Sequence, residues 1–116
     1  MKKTVLKTCF LITISLSFFN CSTAVIEKVV IAETISYTGN VKTVITTNCT
    51  TTCHNPTRLD AGLNLTTYAG LRNATENGNV ISRINSAGNP MPIGGQMTPA
   101  SIAIIQQWAS DGYLEN

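Results

Sequence analysis

The sequence is poor in charge and contains only one histidine. Asp, Glu, Lys and Arg account for 12% of the 116 residues, and no stretch collects basic side chains into a long run. Proteins that bind nucleic acids need such a cluster, so this class is excluded. A membrane-spanning helix needs about 20 consecutive apolar residues. The most apolar stretch is shorter than that, because Thr13, Ser15 and Ser17 interrupt it.

The first twenty residues have the pattern of a secretory signal. Several lysines precede a short apolar segment over residues 9–19, which is typical of a peptide that is removed on export. The segment ends in "SFFNC", which places Cys21 where a bacterial lipoprotein carries its lipidated cysteine. We therefore expect a lipoprotein-type signal peptide over residues 1–20, lipidation of Cys21 and a periplasmic location. Ordinary cleavage near Ala24 is the alternative.

Removal of this peptide changes the charge and the cysteine content of the chain. From Cys21 onward there are five basic and six acidic residues, which gives a net charge of −1. Cys49 and Cys53 are then the only cysteines left for the folded part. Thiols rarely stay free in an oxidising, exported compartment. We therefore expect both to be bonded, to each other or to a ligand.

Four short helices are predicted from apolar spacing and capping residues. They cover residues 40–49, 66–78, 79–87 and 98–112. The fourth has the strongest signals, since Thr98 is a good N-cap and Pro99 occupies the first helical position. No β-hairpin signal competes, so we predict an all-α domain over residues 38–116, preceded by a tether over residues 21–37. Such a small domain has a thin core and often needs a disulfide, a metal or a cofactor.

The segment "NCTTTCH" brings Cys49 and Cys53 together with the only histidine, His54. A disulfide between the cysteines is sterically possible but leaves His54 unexplained. Zinc needs a further ligand, for which Asp60 is a candidate. A catalytic Cys–His pair is disfavoured, because adjacent side chains on a helix do not face each other.

Covalent haem attachment accounts for all three residues. In the C-x-x-C-H motif two thiols bond to one porphyrin and the histidine turns to the iron. Here three threonines separate the cysteines, while the Cys-His step is unchanged. Without a second histidine, the other axial ligand is a methionine, water or another group. Met91 is favoured because it lies in the proline-flanked loop "GNPMPIGG", whereas Met97 adjoins the cap at Thr98, where packing against the helix is the commoner use.

Five stretches then follow one another along the chain: "NVKTVITTNCTTTCH", "AGLNLTTYAGL", "ISRI", "NPMPIGG" and "IIQQWASDGYL". In this order they resemble the small class I c-type cytochromes of bacteria. The resemblance implies a cytochrome c-like fold of about four short helices around one covalently attached haem c. It implies Cys49 and Cys53 as thioether sites, His54 as the proximal iron ligand and Met91 as the distal ligand. The third threonine departs from the family's pattern.

An exported monohaem cytochrome is expected to carry single electrons and not to be an enzyme, so no catalytic residues are assigned. Its expected partners are redox proteins such as an oxidase, a quinol complex or a dehydrogenase, and its expected membrane contact is the lipid anchor. Two alternatives stay open. One is a haem protein with an open or displaceable distal site, acting as a gas sensor or a peroxidase-like protein. The other is a haem-free exported lipoprotein with a Cys49–Cys53 disulfide.

Two further side chains, Arg83 and Trp108, have weaker support as site residues, and a second contact is expected for His54. Arg83 is expected either to pair with a haem propionate or to face solvent on its helix. Trp108 is expected at the haem edge, against the first helix or elsewhere in the core. The second ring nitrogen of His54 is expected to donate to a backbone carbonyl between residues 56 and 61, since such a bond fixes the tautomer of a metal ligand.

Overall fold

The computed structural model describes residues 33–116. The predicted signal peptide over residues 1–20, the lipidation site at Cys21 and most of the predicted tether lie outside this part. Within it the secondary structure is helical and includes no β-strand, so the all-α prediction is confirmed at this level. In residues 33–116 no helix is long and apolar enough to cross a membrane.

The first helix, α1, covers residues 37–50 and changes its hydrogen-bond pattern along its length. It consists of a π-helical turn, an α-helical stretch and a second π-helical turn: Tyr37–Val41, Lys42–Ile45 and Thr46–Thr50. The hydroxyl of Ser36 caps it by accepting a backbone N–H of the first turn at 3.1 Å. This cap makes the helix begin before the start predicted from apolar spacing.

Threonine side chains explain the wide second turn of α1. The hydroxyls of Thr46 and Thr47 donate to the carbonyls of Lys42 and Thr43, at 2.7 and 3.0 Å. Such bonds compete with backbone N–H groups for the carbonyls of the preceding turn and loosen a helix. The backbone then closes over five residues, as in the 3.3 Å bond from the N–H of Thr51 to the carbonyl of Thr46.

Three more helices follow a short 3₁₀ turn at Asp60–Gly62. They are α2, α3 and α4, over Tyr68–Glu76, Val80–Ile84 and Pro99–Ser110. Each falls inside a predicted segment, and the predicted cap at Thr98 is present. The hydroxyls of Thr67 and Thr98 accept backbone N–H groups of their first turns at 3.1 and 3.2 Å. The third helix is shorter than predicted, and a long loop connects it to α4.

The helices and their connections enclose one core. Its buried apolar residues are Ile35, Tyr37, Val41, Ile45, Leu65, Leu71, Ala74, Ile84, Met97, Ile105 and Trp108. The indole of Trp108 packs edge-on against Tyr113, with ring centroids 5.0 Å apart. The carbonyl of Leu114 accepts both the Trp108 Nε1–H and the N–H of Tyr37, each at 2.8 Å. The C-terminal segment therefore ties α4 to the beginning of α1 and leaves the other end of α1 to form the site.

Candidate functional site

Two adjoining cavities of about 480 and 340 Å³ lie at the C-terminal end of α1. They share four wall residues, namely Cys49, His54, Ala61 and Met91. Binding sites for cofactors and small molecules commonly measure about 300–1,000 Å³. The predicted attachment segment and the predicted distal ligand, which are far apart in the sequence, therefore meet on one cavity of suitable size.

Aliphatic side chains form most of the wall of the larger cavity. They come from the segment before α2, from α2 itself and from α3: Leu63, Leu65, Ala74, Val80 and Ile84. The polar side chains on this wall are His54, Asn79 and Arg83. An apolar pocket with few polar groups suits a mainly apolar ligand that is oriented by a small number of specific contacts.

The "CTTTCH" segment forms a wide helical turn. The N–H of His54 donates to the carbonyl of Cys49 at 3.0 Å, five residues earlier in the chain. The side-chain amide of Asn55 donates to the carbonyl of Thr50 at 2.8 Å and so satisfies the next carbonyl along. The turn places Cys49 and His54 on the wall of the larger cavity, while Cys53 lines the smaller one.

Backbone contacts fix His54 at the bottom of the site. Its carbonyl accepts the N–H of Leu65 at 3.0 Å, and it forms an isolated antiparallel bridge with Leu59. Only 9% of the residue is exposed. Its Nδ1 atom is buried and has no hydrogen-bond partner among residues 33–116, so the expected bond to a loop carbonyl is not formed.

A buried imidazole nitrogen without a partner needs a physical reason. Leaving such a group unsatisfied destabilises a fold by about 1–3 kcal/mol. Most buried polar side chains in proteins have a partner, so a ring without one is more consistent with a binding role than with packing alone. His54 is therefore the strongest single candidate for a ligand-binding residue in the described part of the chain.

The two cysteines are free thiols, and each is partly buried. Burial, reinforced by the neighbouring Cys53, raises the pKa of the Cys49 thiol to about 11. A catalytic cysteine needs the opposite environment, one that lowers its pKa and favours the thiolate. The surroundings of Cys49 therefore do not favour an activated nucleophile.

The zinc alternative needs an acidic side chain near the cysteines. Asp60 lines the smaller cavity, but its carboxylate accepts a 2.9 Å hydrogen bond from the Nε–H of Arg58. This bond keeps the pKa of the Asp60 carboxyl below its ordinary value. Within residues 33–116 no three Cys, His, Asp or Glu side chains come together as a metal-binding group.

The two methionines downstream of the site have different environments. Met91 lines both cavities from the loop between α3 and α4. Its backbone N–H donates to the carbonyl of Arg83 at 3.1 Å, which holds the loop against the end of α3. Met97 is only 6% exposed and belongs to the core, and it is not among the residues that line either cavity.

The structure also places the residues with weaker claims. Arg83 lines the larger cavity, and within the described residues it takes part in no ion pair. Trp108 lies away from both cavities, in contact with Tyr37, Tyr68 and Tyr113. It is therefore a core residue that packs against the first helix, which was one of the expected positions.

Sequence reasoning did not assign the wall residues Ala61, Leu63 and Leu65. They lie in "AGLNL", which belongs to one of the stretches that carry the resemblance, but the pattern does not by itself assign them to a cavity wall. Comparisons with protein-family models, curated proteins and solved structures find no match. The interpretation of the site therefore depends on its own residues and geometry.

Proposed function

We propose that the protein is an exported monohaem c-type cytochrome that carries single electrons. The observation that carries this proposal is the meeting of Cys49, His54 and Met91 on one apolar cavity. On this proposal the helices form a cytochrome c-like fold around one haem. Cys49 and Cys53 hold it through thioether bonds, and His54 and Met91 are its axial ligands.

The residues that line the cavity suit a haem. A porphyrin is a flat, largely apolar ring, and aliphatic side chains form most of the cavity wall. Imidazole and thioether are both established axial ligands of haem iron, and a His/Met pair raises its reduction potential. When bound, the iron supplies one-electron redox chemistry. The chain's own contribution is to hold the two thiols and to orient the ring of His54. Leu65, Val80 and Ile84 would keep water away.

The alternatives with the same residues have less support. A Cys49–Cys53 disulfide without haem leaves the adjoining apolar cavities without a function. A haem protein with an open distal site requires Met91 to leave the cavity wall. The backbone bond of Met91 to Arg83 and the flanking Pro90 and Pro92 favour a fixed loop instead.

We propose redox proteins as partners and Cys21 as the lipid anchor on the periplasmic side of the membrane. The surface next to Met91 suggests how a partner docks. Ile93 is 78% exposed and lines the smaller cavity. Residues 84–110 contain no charged side chain. The nearby charges of Arg58 and Asp60 neutralise each other at 2.9 Å. We therefore expect apolar contact rather than charge attraction to bring a partner to this face.

The proposal is tested on protein produced in a bacterial host that attaches haem to exported cytochromes. A pyridine haemochrome spectrum reports how many vinyl groups have reacted, and intact mass reports whether the haem is covalent. We expect one haem per chain with two thioethers, and the Cys49→Ser and Cys53→Ser variants should each keep one. Haem that acid acetone extracts freely from the unmodified protein contradicts covalent attachment. A high-spin ferric spectrum, or CO binding without denaturation, favours the open distal site.

A further inference from the structure

We infer that a wide helical turn absorbs the third threonine of "CTTTCH", so that the segment positions its two thiols and its imidazole as a C-x-x-C-H segment does. This inference rests on the proposed function. It explains how a chain with one residue too many between its cysteines can still present them to a single porphyrin.

The backbone hydrogen bond across the segment carries the inference. An α-helical turn closes from an N–H to the carbonyl four residues earlier, and a π-helical turn closes to the carbonyl five residues earlier. In C-x-x-C-H the histidine is four residues after the first cysteine, so an α-helical turn closes on it. Here His54 is five residues after Cys49, and its N–H donates to the Cys49 carbonyl at 3.0 Å. The extra residue therefore widens the turn, but the turn is still closed between the first cysteine and the histidine.

The second cysteine also keeps its place in the turn. In both C-x-x-C-H and C-x-x-x-C-H, the second cysteine comes directly before the histidine, and the histidine N–H closes the turn. Cys53 lines the smaller cavity, and Cys49 lies where the two cavities join. Both cysteines and His54 therefore line the smaller cavity together, so one porphyrin that entered it would meet all three residues.

Neighbouring hydrogen bonds stabilise the wide form. The hydroxyl of Thr51 donates to the carbonyl of Thr46 at 2.7 Å, and the N–H of Thr51 donates to the same carbonyl at 3.3 Å. The side chain of Asn55 then satisfies the carbonyl of Thr50. The turn that contains the cysteines thus comes directly after the π-helical turn at the end of α1, Thr46–Thr50.

The covalent step itself requires no change in this geometry. Each thiol S–H adds across a vinyl C=C bond of the porphyrin. A C–S bond forms, the π bond is lost, and the proton moves to the other vinyl carbon, so no electron is gained or lost. The requirement on the chain is only that both sulfurs reach their vinyl groups together.

The inference predicts an asymmetry between removing and adding a residue. Deletion of Thr52 leaves an α-helical turn that can still close from the histidine N–H to the Cys49 carbonyl. Insertion of one more threonine after Thr52 requires closure over six residues, for which no regular helical turn exists. Thr52 is exposed, and its side chain makes no hydrogen bond within residues 33–116. Thr52 also lines the smaller cavity, so its deletion shortens the turn and removes one side chain from that wall, whereas Thr52→Ala shortens only the side chain.

The experiment compares four chains produced with the same haem-attachment system: the unmodified protein, Thr52→Ala, the Thr52 deletion and the threonine insertion. Intact mass and thioether number are measured for each. The weak near-infrared band of the oxidised protein, which reports methionine bound to the iron, is measured as well. We expect the unmodified, Thr52→Ala and deletion chains to carry two thioethers in yields within about twofold. We expect the insertion to lose at least tenfold in doubly attached protein, with circular dichroism reporting whether its helices remain.

Three results overturn the inference. In the first, the insertion chain gains its haem as well as the unmodified protein does. In the second, the deletion chain loses the second thioether or the near-infrared band. In the third, only the deletion chain gains covalent haem. Absence of covalent haem from all four chains contradicts the proposed function instead. The two failures are therefore distinguishable, and the deletion arm tests the inference even where the insertion does not fold.

Discussion

The backbone N–H of Met91 donates a 3.1 Å hydrogen bond to the carbonyl oxygen of Arg83, just before the end of α3. The same helix contributes Val80 and Ile84 to the cavity wall. One short helix therefore supplies part of the apolar wall and also fixes the loop that brings Met91 to it. The opposite side of the site comes from the end of α1 and the turn that follows it.

Replacing Met91 by Ala should remove the near-infrared band of the oxidised protein and lower its reduction potential, because methionine ligation raises that potential. The matched control is Met97→Ala. Met97 is buried in the core, so this change should lower the free energy of unfolding by about 2–5 kcal/mol and leave the band in place. Loss of the band in Met97→Ala, with its retention in Met91→Ala, contradicts the assignment of the distal ligand.

Arg83→Gln should lower the reduction potential. The side chain is the one charged group on the wall of the larger cavity within the described residues. In the proposed cytochrome a positive charge there would disfavour the oxidised, more positive iron. The expected effect is on the order of 1 kcal/mol, or tens of millivolts for one electron. Arg83→Lys keeps the charge and should retain most of the potential. Redox titration measures both, and equal potentials in all three proteins indicate that Arg83 faces solvent.

Helix positions in this chain could be predicted because their signals are local. The hydroxyl of Thr98 caps the helix that the sequence assigns to it. Ile105 and Trp108 are three residues apart in α4, a spacing that places both on one helix face, and both are buried. The early start of α1 was not predicted, because a cap by Ser36 gives a weak signal without strong apolar spacing behind it.

Site geometry depends on contacts that sequence spacing does not encode. The histidine and the methionine could be selected by elimination, since few such residues exist in the chain. Their meeting across one cavity depends on the Met91 bond to Arg83 and on the Leu65 bond to His54, which join distant segments. The expected partner of the imidazole Nδ1 was taken from general metal-site chemistry, and the described residues do not provide it.

Alkaline pH should destabilise the haem-free chain through Cys49. Its pKa is raised from 9.0 to about 11 by burial and by Cys53. The folded chain thus keeps a proton that the unfolded chain releases. The stabilisation is complete below pH 9 and is lost as pH rises towards 11. Two pKa units correspond to about 2.7 kcal/mol at most.

Urea unfolding of the haem-free chain at several pH values measures this loss. Cys49→Ser should flatten the dependence between pH 9 and 11, whereas Cys53→Ser should preserve most of it. Thioether formation removes the titrating proton, so the haem-loaded protein should lack this component altogether. A haem-free chain whose stability does not change between pH 9 and 11 contradicts the burial of Cys49.

Ile93→Lys should make electron exchange between oxidised and reduced copies of the protein slower and dependent on salt. Two copies that meet through the uncharged face next to Met91 experience little repulsion, so exchange in the unmodified protein should hardly change with ionic strength. A lysine at position 93 places like charges opposite each other. We expect a two- to five-fold decrease at low salt, since unit charges several ångströms apart in water repel by roughly 0.5–1 kcal/mol. The rate should recover above about 0.1 M salt, where the Debye length is about 10 Å.

Leu114→Lys is the matched control, because Leu114 is also an exposed apolar residue, at 39%. Its carbonyl bonds to the N–H of Tyr37 at the beginning of α1, whereas Ile93 lies beside Cys49 at the other end. The two ends of α1 are about 20 Å apart. Exchange rates follow from line broadening in NMR spectra of partly reduced samples. If Leu114→Lys slows exchange as much as Ile93→Lys does, overall charge rather than the Ile93 face governs the encounter. Binding of the unmodified protein's haem domain to uncharged lipid vesicles, abolished by Ile93→Lys, would instead assign this face to the membrane.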